Sequence, residues 1–358
     1  MGGVEKGTCA EVEALIAAVP LPALVIGPTQ KVEAMNPRGA ALLGAACLGR
    51  HFTTGLRHPK LVEAVEHCLQ DQVPRDVSYQ IVDSGSEMHY DVHIHAIAGS
   101  DLILLSFENA TALAQAEQMR RDFVANVSHE LRTPLTGLIG FIETLRGPAR
   151  EDAKARERFL GIMASEAERM NRLVAGLLSL SRVEADGRLR PTTRLDLRRV
   201  LQSVLANLDP LARENRVDLQ YTPPEAPLWI TGDSDQLLQV FTNLVENAVK
   251  YGGADQRVEI SVQNLPHDPV LRGPAIAVTV RDHGPGIDPI HLPRLTERFY
   301  RADSHRSREL GGSGLGLAIV KHILNRHRGR LRVASEPGQG AVFTVVLPPA
   351  QVPESDKN

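Results

Sequence analysis

The chain has 358 residues, enough for two or three domains that each bury their own core. Apolar residues at 42% and charged residues at 23% are ordinary for a soluble globular protein, and a formal net charge of −3 gives no polyanion-binding signal, so direct nucleic-acid binding is not favoured. Cys9, Cys47 and Cys68 are odd in number and widely spaced, with no CxxC pair; this argues against a disulfide framework or zinc site and fits a reducing cytoplasm.

Up to about Glu108, short apolar runs alternate with turn signals. "ALVIG", "KVEAMN", "VSYQIV", "MHYDVHIHAIA" and "DLILLSFEN" read as strands, with a helical patch around Leu61 to Leu69, and imply a small α+β domain over residues 1–109. The best apolar run, "LIAAVPLPALVI", holds two prolines, falls short of the ~20 residues a spanning helix needs, and follows no charged leader region. Residues 110–186 read as two long helices broken by "RGPARED", where Gly147 and Pro148 make the turn. "ADGRLRPTTRLDL" reads as a linker into a third region, residues 187–349, of alternating helices and strands, followed by a frayed tail at 350–358. The basic clusters "HRSR" (305–308) and "NRHRGRLR" (325–332) read as solvated faces, with His322 and His327 exposed.

In "FVANVSHELRTPLTGLIGF" the helical period, about 100° per residue, places Phe123, Val127, Leu131, Leu135, Leu138, Ile142 and Leu145 on one stripe facing a partner helix. His129 points away from that stripe, with Thr133 one turn further on and Arg132 close by. Glu130 is an acid able to fix the imidazole tautomer and raise its nucleophilicity, and Pro134 removes a backbone donor just past the site. The second helix carries Phe159, Met163, Ala167, Met170, Leu173, Leu177 and Leu180 at comparable spacing. Two such helices bury too little surface alone; pairing two hairpins into a four-helix bundle implies a homodimer.

The C-terminal region has no P-loop, but three stretches there suit a nucleotide. In "DQLLQVFTNLVENAVKYGG" the apolar set Leu237, Leu238, Phe241, Leu244, Val245 and Ala248 is the buried face, while Asn243 and Asn247 project together and Lys250 follows one turn on. Amide oxygens can hold Mg²⁺ and an ammonium answers phosphate charge, although paired surface amides are also common. In "VTVRDHGPGID" a strand ends at Asp282, whose carboxylate can accept from an adenine amine while Gly284 and Gly286 let backbone approach the base; an ordinary turn is the competing reading. His283 reads as topping this pocket. In "GGSGLGLAIVKHIL", Gly312, Gly314 and Gly316 lead into a helix whose free N–H groups can meet phosphate. "RFYRADSHRSREL" between them reads as a mobile lid.

As a set, "SHELRTPL", "NLVENAVKYG", "DHGPGI", "RFYRAD" and "GGSGLGLAIV" resemble the H, N, first glycine, F and second glycine boxes of sensor histidine kinases of two-component systems. The wider "RDFVANVSHELRTPLTGLIGFIETL" is most similar to phosphate-regulon sensor kinases of the PhoR type. The resemblance implies a multidomain α+β fold: an N-terminal PAS-like sensor or interaction domain, a dimeric helical-hairpin four-helix bundle for histidine phosphotransfer, and a C-terminal Bergerat-type ATP-binding α/β sandwich. It implies that His129 accepts the γ-phosphoryl group of ATP on Nε2, with Glu130 as neighbouring acid or base. Thr133 would position water when phosphate is removed from the partner regulator. Asn247, supported by Asn243, would ligate Mg²⁺; Lys250 and Tyr251 would meet phosphates or ribose; Asp282 would read adenine; Arg301 would contact the γ-phosphate. The implied partners are a second copy, a response regulator of the PhoB type and a protein partner at the PAS-like domain. The family commonly carries N-terminal membrane segments, so either a soluble protein, an absent N-terminal anchor or membrane association through partners follows.

Two rival readings use some of the same residues: a Bergerat-fold ATPase doing mechanical work, and a non-catalytic scaffold. The H-box histidine argues against the first, and the intact amides and glycines against the second. In "HYDVHIH", His89, Asp91, His93 and His95 share one strand face at period two, a set that could bind a transition metal; the preferred reading is a solvated face opposite Tyr90, Val92, Ile94 and Ala96, with the domain serving interaction.

Overall fold

In a computed structural model, residues 12–83, 86–185, 190–253, 255–302 and 312–350 are described. The chain forms two compact units, residues 1–125 and 126–358. "HRSR", the end of the expected lid, Cys9 and most of the tail lie outside the described residues.

The first unit is built on five antiparallel strands: β1 (Ala23–Ile26), β2 (Val32–Met35), β3 (Arg75–Asp83), β4 (Ser86–Ala96) and β5 (Ile103–Asn109), in the order β2-β1-β5-β4-β3. Helices α1 (Pro37–Leu43) and α2 (Pro59–Asp71) lie between β2 and β3 in sequence. Strand alternation decides the core. Leu24 and Ile26 of β1 and Tyr90, Val92 and Ile94 of β4 face α2, where Leu61, Val65 and Cys68 are buried. Ala23 and Val25 face the other way, under Ile16 of an N-terminal helical turn, so β1 is buried on both sides. Asn36 ties this edge together: its Oδ1 accepts from Ala23 N and Gly39 N, and its Nδ2 donates to Leu21 O at 2.7 Å.

Helix α3 (Thr111–Arg146) contains the boundary between the units, and α4 (Ala153–Ala185) returns beside its C-terminal part. Phe141 and Phe159 stack at 5.4 Å between them. The second unit continues with β6 (Arg194–Asp196), α5 (Leu197–Glu214), β7 (Asp218–Tyr221), β8 (Trp229–Thr231), α6 (Ser234–Tyr251), β9 (Arg257–Asp268), β10 (Gly273–Asp282), α7 (Gly316–Arg326), β11 (Arg330–Ser335) and β12 (Ala341–Leu347). Its main sheet runs β11-β12-β10-β9-β7, antiparallel except for the β7–β9 pair. The end of the expected linker is instead strand β6, paired with β8, because Asp196 accepts from Leu228 N and caps α5 through Arg198 N.

Helices α5, α6 and α7 lay their apolar stripes on this sheet: Val200, Leu201 and Val204; Leu237, Phe241, Leu244 and Val245; Ile319, Val320 and Ile323. Val240 and Val249 join the α6 stripe, whereas Leu238 is only half-buried. Asp233 caps α6 by accepting from Asp235 N and Gln236 N. Among the described residues no helix is long and apolar enough to cross a membrane.

Candidate active site

The phosphoacceptor candidate is placed as its helical phase requires. His129 is exposed on α3, while Phe123, Val127, Leu131 and Leu138 of the opposing stripe are partly buried. Leu135 and Ile142, expected against a partner helix, remain 50% and 43% exposed, since the single returning helix α4 cannot cover the full width of the stripe. Ala167 of α4 is exposed for the same reason.

Glu130 does not behave as a simple partner of His129. Its Oε2 accepts from Arg169 Nη2 of α4 at 2.9 Å, and Arg169 Nη1 also donates to Glu166 Oε1 at 2.7 Å. The tautomer-fixing bond read from adjacency alone is thus replaced by a cross-helix ion pair; neighbours in a helix sit about 100° apart, and Glu130 points inward where its neighbour points out. Thr133 Oγ1 donates to His129 O at 3.1 Å, the back-bond to the preceding turn that helical threonines favour. Pro134 is buried inside α3.

The nucleotide candidates converge. A cavity of about 700 Å³ is lined by Asn243, Asn247, Lys250 and Tyr251 from α6, Asp282 and Gly286 from the end of β10, Arg301, and Gly312, Gly314 and Gly316 leading into α7. Gly284 is absent from this wall. It lets the turn pack on α6, since a Cβ there would sit 2.6 Å from Tyr251 O. Two other glycines are obligatory for conformational reasons: Gly286 and Gly314 have φ of +74° and +70°, and a Cβ would meet Glu336 O at 2.1 Å or Phe299 backbone at 2.8 Å. Phe299, itself at φ +63°, donates its N–H to Gly314 O at 2.9 Å, so the F-box and second glycine-box segments are locked together.

Asp282 is buried at the strand end. Its Oδ1 accepts from Gly284 N at 3.0 Å and Ala341 N at 3.1 Å. Burial pushes its carboxyl above the ordinary value, against the pull of those two bonds. Asn243 Nδ2 is buried with no hydrogen-bond partner among the described residues, a donor left for something in the cavity. Lys250 Nζ is paired with Glu246 Oε1, so the ammonium expected on phosphate is held by a cavity-wall carboxylate one turn back.

Sequence reasoning missed Glu246, Gln239, His291, Tyr300, Ala341 and three α4 residues, Arg172, Ala175 and Gly176, on the same wall. Only Glu246 had a local signal, its i, i+4 spacing to Lys250. His283, expected over the pocket, turns to Glu259 Oε1 at 3.1 Å and is not on the wall. His327, expected exposed, is buried: its Nδ1–H donates to Ile323 O at 2.8 Å, which leaves Nε2 to accept from Asp233 N at 3.0 Å. Burial pulls its pKa below the ordinary histidine value. His322 is half-buried.

In the first unit, Tyr90, Val92 and Ile94 are core residues and the histidine face is the solvent side. His93 is held by Asp76 at 2.7 Å and approaches Glu108 at 3.6 Å, and His89 Nδ1 meets Gln80 Nε2 at 3.2 Å. Among the described residues, no group of three or more His, Cys, Asp or Glu side chains is placed to hold a metal ion.

An exposed histidine on a helical hairpin, in one compact unit with a glycine-walled cavity over a mixed sheet, is an arrangement that suits a phosphotransfer enzyme. Comparison agrees: residues 119–186 match the His Kinase A phospho-acceptor domain, and residues 232–351 match the histidine kinase-, DNA gyrase B- and HSP90-like ATPase domain. The chain belongs to the sensor histidine kinases, and its activity is that of an ATP-dependent protein histidine kinase. It is 37% identical over 315 residues to the phosphate regulon sensor protein PhoR of Pseudomonas aeruginosa, covering 86% of this chain and 67% of that protein. It is also 37% identical over 241 residues to the sensor protein kinase WalK of Staphylococcus saprophyticus, covering 67% of this chain but 38% of WalK. The solved histidine kinase ThkA, in complex with the response regulator protein TrrA, shares the fold at TM-score 0.51 and 18% identity, over 94% of this chain and 98% of ThkA.

Proposed function

We propose that His129 takes the γ-phosphoryl group of ATP on Nε2 and passes it to an aspartate of a response regulator. The observation that carries this is the exposed imidazole on α3 within the same compact unit as the nucleotide cavity. In this reading the P–O bond to the leaving ADP breaks as the N–P bond forms, and the ring proton leaves to a carboxylate or water. Glu130 can serve as that carboxylate only by turning out from its ion pair with Arg169. Electrostatic positioning carries most of such a transfer.

Asp282 would accept from the adenine amine. Asn247, with Asn243 and Glu246 beside it on the wall, would hold Mg²⁺, an oxygen-seeking ion that keeps several waters and phosphate oxygens and so needs few protein ligands. That ion would supply charge neutralisation between phosphates. Tyr251, Arg301 and the N–H groups of the segment through Gly312, Gly314 and Gly316 would meet ribose and phosphates. Lys250 can join them only by sharing or leaving Glu246.

The same site would also promote hydrolysis of the regulator's aspartyl phosphate, in which water takes the phosphoryl group to give inorganic phosphate and the free aspartate, with Thr133 positioning that water once its hydroxyl leaves His129 O. The half-exposed apolar stripe of α3 supports a homodimeric four-helix bundle, and the single antiparallel sheet of the first unit supports a PAS-like domain that takes its input from a protein partner. The likeness to PhoR supports phosphate-starvation signalling, and a PhoB-type regulator is the partner that this reading assigns to it.

The test is autophosphorylation with γ-labelled ATP followed by phosphotransfer profiling. His129→Gln is expected to lose the acid-labile label while still binding ATP; label persisting in that variant would remove the assignment. Thr133→Ala is expected to autophosphorylate normally and to dephosphorylate the regulator slowly.

A further inference from the structure

The second hairpin helix is part of the nucleotide cavity. Arg172, Ala175 and Gly176 of α4 lie on its wall with Asn243 and Asn247. Two contacts fix α4 there. Gly176 has no side chain where Leu315 packs; a Cβ would lie 3.4 Å from Leu315 Cδ1. One turn further on, Ser179 Oγ and Gln239 exchange hydrogen bonds at 2.7 and 3.0 Å. Residues 172, 176 and 179 are spaced by four and three, so one face of α4 presents the guanidinium, the gap and the hydroxyl together.

Arg172 differs from the cations around it. Arg169, one turn back, is clamped between Glu130 and Glu166, and Lys250 is paired with Glu246. The Arg172 side chain is exposed, and among the described residues no hydrogen bond or ion pair engages it. A triphosphate entering the cavity therefore meets a guanidinium with all its donors unused, of the planar geometry that suits phosphate oxygens.

Resting on the reading of this cavity as the ATP site, we propose that Arg172 is a phosphate-binding residue contributed by the phosphotransfer hairpin, so that the docked hairpin completes the nucleotide site. Nucleotide binding and hairpin docking then favour each other, because each supplies contacts that the other lacks.

Isothermal titration of the full chain with ATP, ADP and adenosine, in Mg²⁺ buffer, tests this. Arg172→Ala is expected to weaken ATP about tenfold, the size of one charge-assisted hydrogen bond, and to leave adenosine unchanged. Arg172→Lys should recover part of the loss. Gly176→Leu, which keeps Arg172 but drives a side chain into Leu315, should show the same phosphate-selective loss. Wild-type ATP affinity in Arg172→Ala, or equal loss for ATP and adenosine, overturns the proposal; wild-type selectivity in Gly176→Leu overturns the role of docking. Asp282→Asn separates the two layers. If it leaves adenosine binding intact, the cavity itself has been misread; if it abolishes adenosine binding while Arg172→Ala binds ATP normally, the cavity stands and only the role of Arg172 falls.

Discussion

The helices of the hairpin and those of the catalytic sandwich carry similar apolar stripes and dispose of them differently. On α6, Leu237, Phe241 and Leu244 are fully buried, because a sheet and a second helix cover the whole stripe. On α3, Leu135 and Ile139 are each 50% exposed and Ile142 43%, and on α4 Val174 and Leu178 are 42% and 56% exposed. The sandwich is thus complete in one chain, whereas the hairpin keeps apolar surface that a second hairpin would cover. A protein with a closed half and an open half can be damaged in one without the other.

The largest expected effect is on the closed half. Phe241→Ala should destabilise the catalytic fold by about 3–5 kcal/mol, the usual cost of emptying a fully buried aromatic site. Chemical denaturation at two protein concentrations reads it, and the loss should be the same at both. A loss below about 1 kcal/mol would mean that the sandwich core is looser than its burial indicates.

Next comes the His327 clip. His327→Ala should cost about 1–3 kcal/mol by leaving Asp233 N without an acceptor in a partly buried position. The wild-type contribution is pH-dependent. Because burial lowers the folded pKa of His327, the unfolded chain binds the proton first on acidification; the stabilisation is complete above the ordinary histidine value of about 6.5 and is lost as pH falls below it. Denaturation midpoints between pH 8 and 5 should fall in wild type and flatten in His327→Ala.

The open half is tested through concentration. Leu135→Ala should remove about 1 kcal/mol per protomer from a symmetric interface, and so about 2 kcal/mol, or roughly thirtyfold, from dimerisation. Sedimentation equilibrium measures this. An unchanged dimer would place the interface on another face.

The smallest effect lies outside both halves. The hydrogen bond that His93 Nδ1–H donates to Asp76 raises the His93 pKa, so this pair stabilises below the ordinary histidine value, and the benefit is lost as pH rises through the folded value. The pair is largely exposed, and His93→Ala should cost under about 1 kcal/mol even at pH 5.5. Its slope with pH is opposite to that of His327, so titrating His93→Ala and His327→Ala side by side with wild type separates the two.

What could be read from sequence follows the distance between interacting residues. Asn243 and Asn247 share a helix face, Asp282 ends a strand, and Gly314 precedes a helix; each is a local pattern, and the structure gathers them at one cavity. The strands around "ALVIG" and "DLILLSFEN" were equally visible because burial and alternation agree within a few residues. Arg172 was not, since it is an ordinary helix-surface arginine until α4 lies against α7. Glu130 was assigned to its sequence neighbour, but its partner, Arg169, is 39 positions away. His327 sits in a run of arginines that looks solvated, and only the return of the chain beneath Asp233 buries it.

That burial has a mechanical consequence. Gly316, at the start of α7, lies beside Asn243 of α6, and His327, just past the end of α7, holds Asp233, just before α6. The two helices therefore run antiparallel, joined at one end and flanking the cavity at the other. At 1.5 Å per residue the two legs are both roughly 15 Å long, ten residues on one side and eleven on the other. They form a pair of tweezers whose rivet is a neutral imidazole. Acid, by charging that imidazole, would loosen the pair from the end opposite the cavity.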